Sequence, residues 1–357
     1  MNTEKNIQGY TETVVYRLRK LYSNYGYAQY KMNKFEEYDL YVRNKSFLLS
    51  ENIITFTNID GKLMALKPDV TLSIVKGSRA GDSLTKVYYN ENVYRVPKGA
   101  LSFKEIMQTG LECIGNIDGY SVLEVLTLAA KSLEVISPDF VLDISDLGII
   151  SALVDSMGAD GDGRLKLFEA VSKKSSHAIL NICDELSLDK DKASTLAALV
   201  SFGGGADEML EILKDQDIYS EAESLANTVS MLSSRFGGRV RIDFSVVDDM
   251  RYYNGIVFKG FVKGIPAAVL SGGRYDGLLS RMGKRGGAIG FAVYLDLLEK
   301  LEEDNDQFDV DVFLLYGEDT TPLYIADAVE RCVECGKRTQ SGKSIPDGLR
   351  YKELIRL

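Results

Sequence analysis

Four short stretches hold residue types that could bind a small polar molecule. In LKPDVT, residues 66–71, Pro68 fixes the backbone, and Asp69 and Thr71, two apart, are expected on one face of an extended segment. In QTGLECIG, residues 108–115, Gln108 and Glu112 share strand parity, and Arg95 of VYRVPKG is expected to head the preceding strand. In DDMRYYNGIVFKG, residues 248–260, two acids, an arginine and the adjacent Tyr252 and Tyr253 run straight into an apolar strand. In LSGGRYDGLL, residues 270–279, Gly272 and Gly273 precede Tyr275 and remove side chains where a ligand or a neighbouring backbone would approach closely. Each piece alone suits a solvated bend with half-buried tyrosine packing. Together, two carboxylates, an amide, a hydroxyl and tyrosines on strand faces suit a small cationic, ring-bearing molecule. The carboxylates would take an ammonium and a ring N–H, and the arginine a carboxylate.

Other chemistries are excluded by what is missing. His177 is the single histidine and lies in a helical stretch, so histidine-based metal sites, triads and proton shuttles are not expected. Cys332-Val-Glu-Cys335 has the spacing of half a zinc site or a redox pair, but it falls inside an amphipathic helix and no second pair exists. SGKS at 341–344 lacks the glycine a phosphate loop requires, since that position is Lys337, and it reads as a loop. No metal and no cofactor are therefore expected.

The elements that must position these residues are largely readable. Residues 7–25 repeat apolar side chains at helical spacing and stop at Gly26. ITFTNIDGKLMAL, with Asp60-Gly61 between alternating stretches, signals a hairpin. TKVYYNENVYRV and FKEIMQTGLECIG continue as strands, and SVLEVLTLAAKSLEVI returns to helix. From about Asp160 to Arg235 the pattern is almost wholly helical, broken at Gly203-Gly204-Gly205. Strands resume in RVRIDFSVV, GIVFKGFV and AAVLSGG, and a last helix is expected through FAVYLDLLEKLEE. The strand-rich parts on either side are each too small to close a core, so the helical block reads as an insertion into one antiparallel sheet domain. The expected organisation is a core of residues 1–159 and 236–303, a helical insertion of residues 160–235, and an α/β appendage of residues 307–357 ending in a basic helix. The acidic run Glu302-Glu303-Asp304-Asn305-Asp306 would link core and appendage.

The 357-residue chain has 45% hydrophobic and 26% charged residues, ordinary values for a folded protein. A net charge of −10 argues against non-specific nucleic-acid binding, which needs a surplus of lysine and arginine. No stretch of about 18 apolar residues occurs, and the N-terminus has no apolar signal core, so neither export nor a membrane span is expected. Four cysteines are too sparse for a disulfide framework, which fits a reducing cytoplasm.

The ordered set LKPDVT, VYR…QTGLECIG, YYNGIVF, SGGRYDGL and AIGFAVYLDLL resembles the class II histidyl-tRNA synthetase family over roughly residues 1 to 300. The resemblance implies an α+β fold, an antiparallel sheet flanked by helices, with a helical insertion before the tyrosine strand. It implies that Asp69, Thr71, Gln108 and Glu112 hold the ammonium and imidazole of histidine, with Tyr252, Tyr253 and Tyr275 walling the pocket and Arg95 beside it. The departures from the family are equally specific. Where an active synthetase follows the motif arginine with a Glu-Arg pair that grips ATP, Arg95 is followed by Val96-Pro97-Lys98-Gly99. The arginine used in adenylate formation is replaced by Asp248, the arginine that packs on the nucleotide by Leu297, and a small residue before it by Tyr294. A transferring phosphoryl centre needs cationic clamps, so the ATP half of the site is expected to be lost.

That split resembles the synthetase-like regulatory subunits of ATP phosphoribosyltransferase. Their resemblance implies a non-catalytic histidine-binding homodimer that partners a short-form catalytic subunit in the first step of histidine biosynthesis, with tRNA an unlikely ligand. The alternatives are an active histidine–tRNA ligase, an orphan synthetase-like protein, and a structural interaction protein whose pocket is dead.

Overall fold

A computed structural model describes residues 9–45, 52–78, 83–96, 102–246, 252–298, 301 and 308–357. Pro97-Lys98-Gly99, Asp248 and the acidic run 302–306 lie outside the described residues. Residues Val14–Leu297 form one compact unit, and the segment from Leu298 onward belongs to a second.

The first unit opens with α1 (Tyr10–Asn24), in which Val14, Leu18 and Tyr22, four residues apart, are fully buried. Gly26 follows at φ +81, the left-handed backbone that ends a helix at little cost to a residue without Cβ. After β1 (Ala28–Gln29), β2 (Phe35–Glu37) and α2 (Tyr38–Arg43), strands β3 (Thr55–Thr57) and β4 (Leu63–Leu66) pair across the Asp60-Gly61 turn as the sequence predicts, with β2 on the other edge of β4. Then come α3 (Thr71–Gly77), the long hairpin of β5 (Thr85–Arg95) and β6 (Lys104–Gly115), α4 (Gly119–Ile136), β7 (Phe140–Asp146) and α5 (Leu147–Ser156). The helical block is α6 (Gly161–Ser172), α7 (Ser176–Glu185), α8 (Lys190–Ser201), α9 (Ala206–Leu213) and α10 (Tyr219–Phe236). It lies within the first unit, and its helices are punctuated by side-chain caps: Asp160, Ser175 and Asp189 each accept a backbone N–H of the turn that follows. Strands β8 (Val240–Ile242), β9 (Ile256–Val262) and β10 (Leu270–Arg274), helix α11 (Asp276–Arg281) and β11 (Gly287–Tyr294) complete it.

Among the described residues, eight strands form the main sheet in the order β1-β5-β6-β11-β10-β9-β7-β8. Only the outermost pairs, β1 with β5 and β7 with β8, run parallel. Helix α4 covers one face: Leu133 sits where a Cβ on Gly260 of β9 would fall. Residues of opposite parity, Lys259 in β9 and Gln108, Gly110 and Glu112 in β6, therefore face the other side.

Several expectations are corrected. The segment expected to be extended at Asp69 and Thr71 turns instead into α3, with Asp69 Oδ1 accepting the Leu72 N–H at 2.9 Å. Arg95 ends β5 rather than heading it. The strand expected through RVRIDFSVV stops at Ile242, because Asp243 takes the N–H and hydroxyl of Ser245 and bends the chain. FAVYLDLLEKLEE was expected as a helix, but β11 runs to Tyr294 and a single 3₁₀ turn, Leu295–Leu298, follows. An unbroken apolar run suits a strand buried on both faces as well as a helix, and here β6 and β10 flank it.

The second unit contains β12 (Val310–Leu315), α12 (Pro322–Glu334), β13 (Thr339–Gly342) and β14 (Tyr351–Arg356), the strands forming a parallel sheet in the order β13-β12-β14. The basic helix expected at the C-terminus is thus a strand, held as the partner of β12 by main-chain pairing. Asp311 accepts the Lys352 ammonium at 2.6 Å and the Arg338 N–H at 3.0 Å, and these bonds hold its carboxyl down near 2. Among the described residues no helix is long and apolar enough to cross a membrane.

One cation secures the helix that carries Asp69 and Thr71. Lys284, after α11, donates to the carbonyls of Val75, Lys76 and Ser78 at the C-terminal end of α3, where the helix dipole favours positive charge. Lys284→Met should lower the urea midpoint by an amount equivalent to about 1.5–3 kcal/mol with an unchanged slope, as read by circular dichroism.

Candidate functional site

The face of the sheet opposite α4 carries three rows of residues matched across strands. The first row runs Val87, Glu112, Gly290, Gly273, Val257; the second Tyr89, Gly110, Ala292, Ser271, Lys259; the third Glu91, Gln108, Tyr294. Glycine, alanine and serine in the middle of the first two rows leave an open trough. A cavity of about 320 Å³ fills it, within the range that holds a small ligand. Asp69, Thr71, Arg95, Gln108, Glu112, Tyr252, Tyr253 and Tyr275, all eight residues singled out in the sequence, line this one cavity. Helix α3 contributes its N-terminal end, β5 and β6 the floor on one side, and the segments before β9 and after β10 the tyrosines.

Glu112 is the centre of the site. It is 2% exposed, its Oε1 accepts the Thr71 hydroxyl at 2.8 Å, and its Oε2 accepts the Tyr275 hydroxyl. Burial pushes its carboxyl up to about 8, assisted by the neighbouring Asp69 and opposed by the two hydroxyl donors. Asp69 is also raised by burial, against the pull of the Leu72 N–H and the positive charge of Arg95. The one acid of the third row, Glu91, is already matched by Lys67, whose side chain is 1% exposed. The cavity therefore holds two carboxyls whose ionisation burial disfavours, Glu112 most strongly, a preference for a ligand bearing an ammonium or a ring N–H.

The tyrosines form a packed wall. The Tyr252 ring lies 4.7 Å from that of Tyr253, nearly edge to face, and 5.6 Å from that of Tyr275. The glycine pair expected to admit a ligand admits neighbours instead: a Cβ on Gly273 would come 2.7 Å from the Tyr253 ring, and one on Gly272 would meet Phe291 and Phe258. Gly290 has the same role for Glu112, whose carboxyl occupies the space a Cβ would need.

Sequence reasoning missed Tyr89, Lys259 and Ser271 on the cavity walls, and read Tyr294 only as a departure. Tyr294 lines the cavity and bonds Ser271, hydroxyl to hydroxyl, at 2.7 Å. The signal for Lys259 was present as a charge at the cavity-facing parity of a core strand. His177 is exposed on α7, bonded to Asn181 one turn later, and Cys335 is exposed just past α12; neither lines the cavity. Among the described residues no group of three histidine, cysteine or acidic side chains could hold a metal.

Comparison with known proteins agrees with this architecture. A family profile described as histidyl-tRNA synthetase matches residues 8–298. A protein of Caldanaerobacter subterraneus subsp. tengcongensis, named ATP phosphoribosyltransferase regulatory subunit, is 31% identical over 291 residues, covering 78% of this chain and 75% of its own. Two solved structures share the fold. An ATP phosphoribosyltransferase regulatory subunit/histidyl-tRNA synthetase from Bacillus halodurans has a TM-score of 0.74 at 23% identity, over 97% of this chain and 93% of its own. The ATP phosphoribosyl transferase (HisG:HisZ) complex from Thermotoga maritima has a TM-score of 0.62 at 20% identity, over 79% of this chain and 96% of the matched one. With a class II synthetase sheet across residues 14–297 and this degree of likeness over most of its length, the chain belongs to the histidyl-tRNA synthetase-like family of ATP phosphoribosyltransferase regulatory subunits.

Proposed function

We propose that this chain is a non-catalytic subunit that binds histidine in the tyrosine-walled cavity, and that occupancy of the cavity regulates a short-form ATP phosphoribosyltransferase catalytic subunit held by a homodimer of this chain. The observation that carries the reading is the convergence of Asp69, Thr71, Arg95, Gln108, Glu112, Tyr252, Tyr253 and Tyr275 on one cavity, in a chain whose relatives bear the regulatory-subunit name. Histidine matches the chemistry of the cavity. Its ammonium and ring N–H suit Asp69 and Glu112, its ring suits the aromatic wall, and its size suits a cavity of about 320 Å³. The complex from Thermotoga maritima supports a catalytic subunit as partner.

A ligand cation would relieve the cost of ionising Glu112, so binding and ionisation are one event and the cavity is poised to respond to histidine. The absence of catalysis follows from the residues that replace the ATP clamps. Val96 follows Arg95 directly, and Leu297 lies in the 3₁₀ turn after β11 in place of an arginine. Tyr294 brings a bulky ring to the cavity wall.

Three outcomes are expected. Purified protein supplied with histidine, ATP and labelled pyrophosphate should form no labelled ATP, whereas measurable exchange would revive the ligase reading. Glu112→Gln should weaken histidine binding by about ten- to a hundredfold in calorimetry, the value of one charge-assisted hydrogen bond. If occupancy is the signal, the inhibition curve of the reconstituted complex must shift by a similar factor. Undetectable binding at millimolar histidine would place any feedback site elsewhere. Finally, the folded empty chain keeps the Glu112 proton up to about pH 8, while the unfolded chain releases it near 4.5. Between these values the unfolded state binds fewer protons, so this group's contribution to stability is fully favourable below pH 4.5 and falls as pH rises toward 8. Glu112→Gln should flatten that fall in urea titrations at a series of pH values.

A further inference from the structure

We infer that Cys332 and Cys335 of the second unit form a reversible modification site, in which a small disulfide of the glutathione class captures the exposed Cys335 thiol and Cys332 then closes it into an intramolecular disulfide. Neither residue lines the cavity, so the inference stands or falls apart from the function proposed above.

The sequence pattern puts both cysteines inside one amphipathic helix, but α12 ends at Glu334 and Cys335 is its cap residue. The helix closes in a Schellman turn. The Lys337 N–H bonds the Cys332 carbonyl at 3.1 Å, the Gly336 N–H bonds the Val333 carbonyl at 2.8 Å, and Gly336 takes the left-handed φ of +73. Cys335 is exposed, whereas Cys332 is partly buried and packs against Val312, Leu314 and Ala328. The other two cysteines, Cys113 and Cys183, are buried within the first unit. One thiol therefore meets solvent, and a second lies three residues before it on the same helix face.

Helix geometry permits this closure and makes it reversible. With about 3.6 residues per turn, a rise of about 1.5 Å and a radius of about 2.3 Å, Cα atoms three residues apart are about 5 Å apart, inside the usual disulfide range of about 4.4–6.8 Å. The Cβ atoms, about 5–6 Å apart in a helix, must approach to about 3.8 Å. The cap is the part that can move: the Cys335 N–H reaches the Arg331 carbonyl only at 3.3 Å, while Cys332 is held by the core of the unit. A linkage that pulls on the last turn is readily reduced again. The Lys337 ammonium, bonded to Glu353 at 2.8 Å, is close enough to both sulfurs to feel their charge, so a thiolate at either position forms beside a cation. The Cys335 thiolate attacks one sulfur of oxidised glutathione, the S–S bond breaks, and one glutathione leaves as its thiolate. The Cys332 thiolate then attacks the Cys335 sulfur and expels the second. Two electrons pass from the protein to glutathione, and the two thiol protons end on the two glutathione products.

The test incubates the full chain, without air, in a series of ratios of oxidised to reduced glutathione, quenches it in acid, and reads intact mass and the peptide positions of alkylated thiols. Wild type should lose two hydrogens per chain as the ratio rises, with the new bond mapped to Cys332 and Cys335, and should regain them as the ratio falls. Cys113 and Cys183 should remain thiols throughout. Cys332→Ser should stop at one glutathione bound to Cys335, and Cys335→Ser should react far more slowly, since the remaining thiol is partly buried. Wild type alone decides the outcome should either variant fold poorly. A wild-type chain that keeps glutathione on Cys335 without closing the bond, that links to a second chain, or that reacts no faster at Cys332 and Cys335 than at Cys113 and Cys183 overturns the inference.

Discussion

Glu112 is a carboxyl buried on a central strand, and the surrounding structure is arranged around the cost of its charge. Desolvation alone would keep it neutral. The Thr71 and Tyr275 hydroxyls donate to its two oxygens, and Gly290 leaves the space it fills. Each of those neighbours comes from a different part of the chain, so the position of Glu112 requires that α3, β11 and the end of β10 all be in place. A site assembled in this way carries the cost of a buried carboxyl until a cation offsets it, which is the physical basis of the ligand-sensing role proposed above.

The sheet supplies the rest of the selectivity through the sizes of residues in register. Small residues in adjacent strands open the trough, aromatic rings close its sides, and the pairing of Gly273 with the Tyr253 ring shows that glycine here serves the wall. Lys284 acts at a distance from the cavity: by binding the carbonyl end of α3 it fixes the opposite end, where Asp69 and Thr71 meet the cavity. The same helix is thus held by a cation at its C-terminal end and presents the Asp69 carboxyl and the donating Thr71 hydroxyl at its N-terminal end.

The family resemblance and the site were legible because motif residues report local chemistry. Tyr252, Tyr253 and Glu112 stand in short stretches that singly suit packing and that only together point to one ligand chemistry. The hairpin at Asp60-Gly61, the β5–β6 pair and the helical block were legible because turn residues and periodicity are local signals. The errors share a different cause. The apolar run of β11 and the basic segment of β14 carry no period that separates a buried strand from a helix, and their neighbours in the sheet decide the matter. Asp69 looked extended because the proline before it favours extended backbone, yet its carboxylate captures the Leu72 N–H and starts a helix.

The sequence by itself determined which groups are available: two acids, an amide, a hydroxyl, an arginine and three tyrosines. Only the tertiary structure decided which of these meet, because strand order and register are set by pairings between residues far apart in the chain. Glu112 and Tyr275 are 163 residues apart and share a hydrogen bond. Lys259 reads in sequence as one charge in a core strand. It becomes a wall of the cavity only because β9, β10, β11 and β6 align it in one row with Ser271, Ala292 and Gly110. Register is fixed by the burial of one face of the sheet, against α4 at β7, β9 and β11 and against Tyr22 of α1 at Tyr88 and Phe291, and no local signal carries that information.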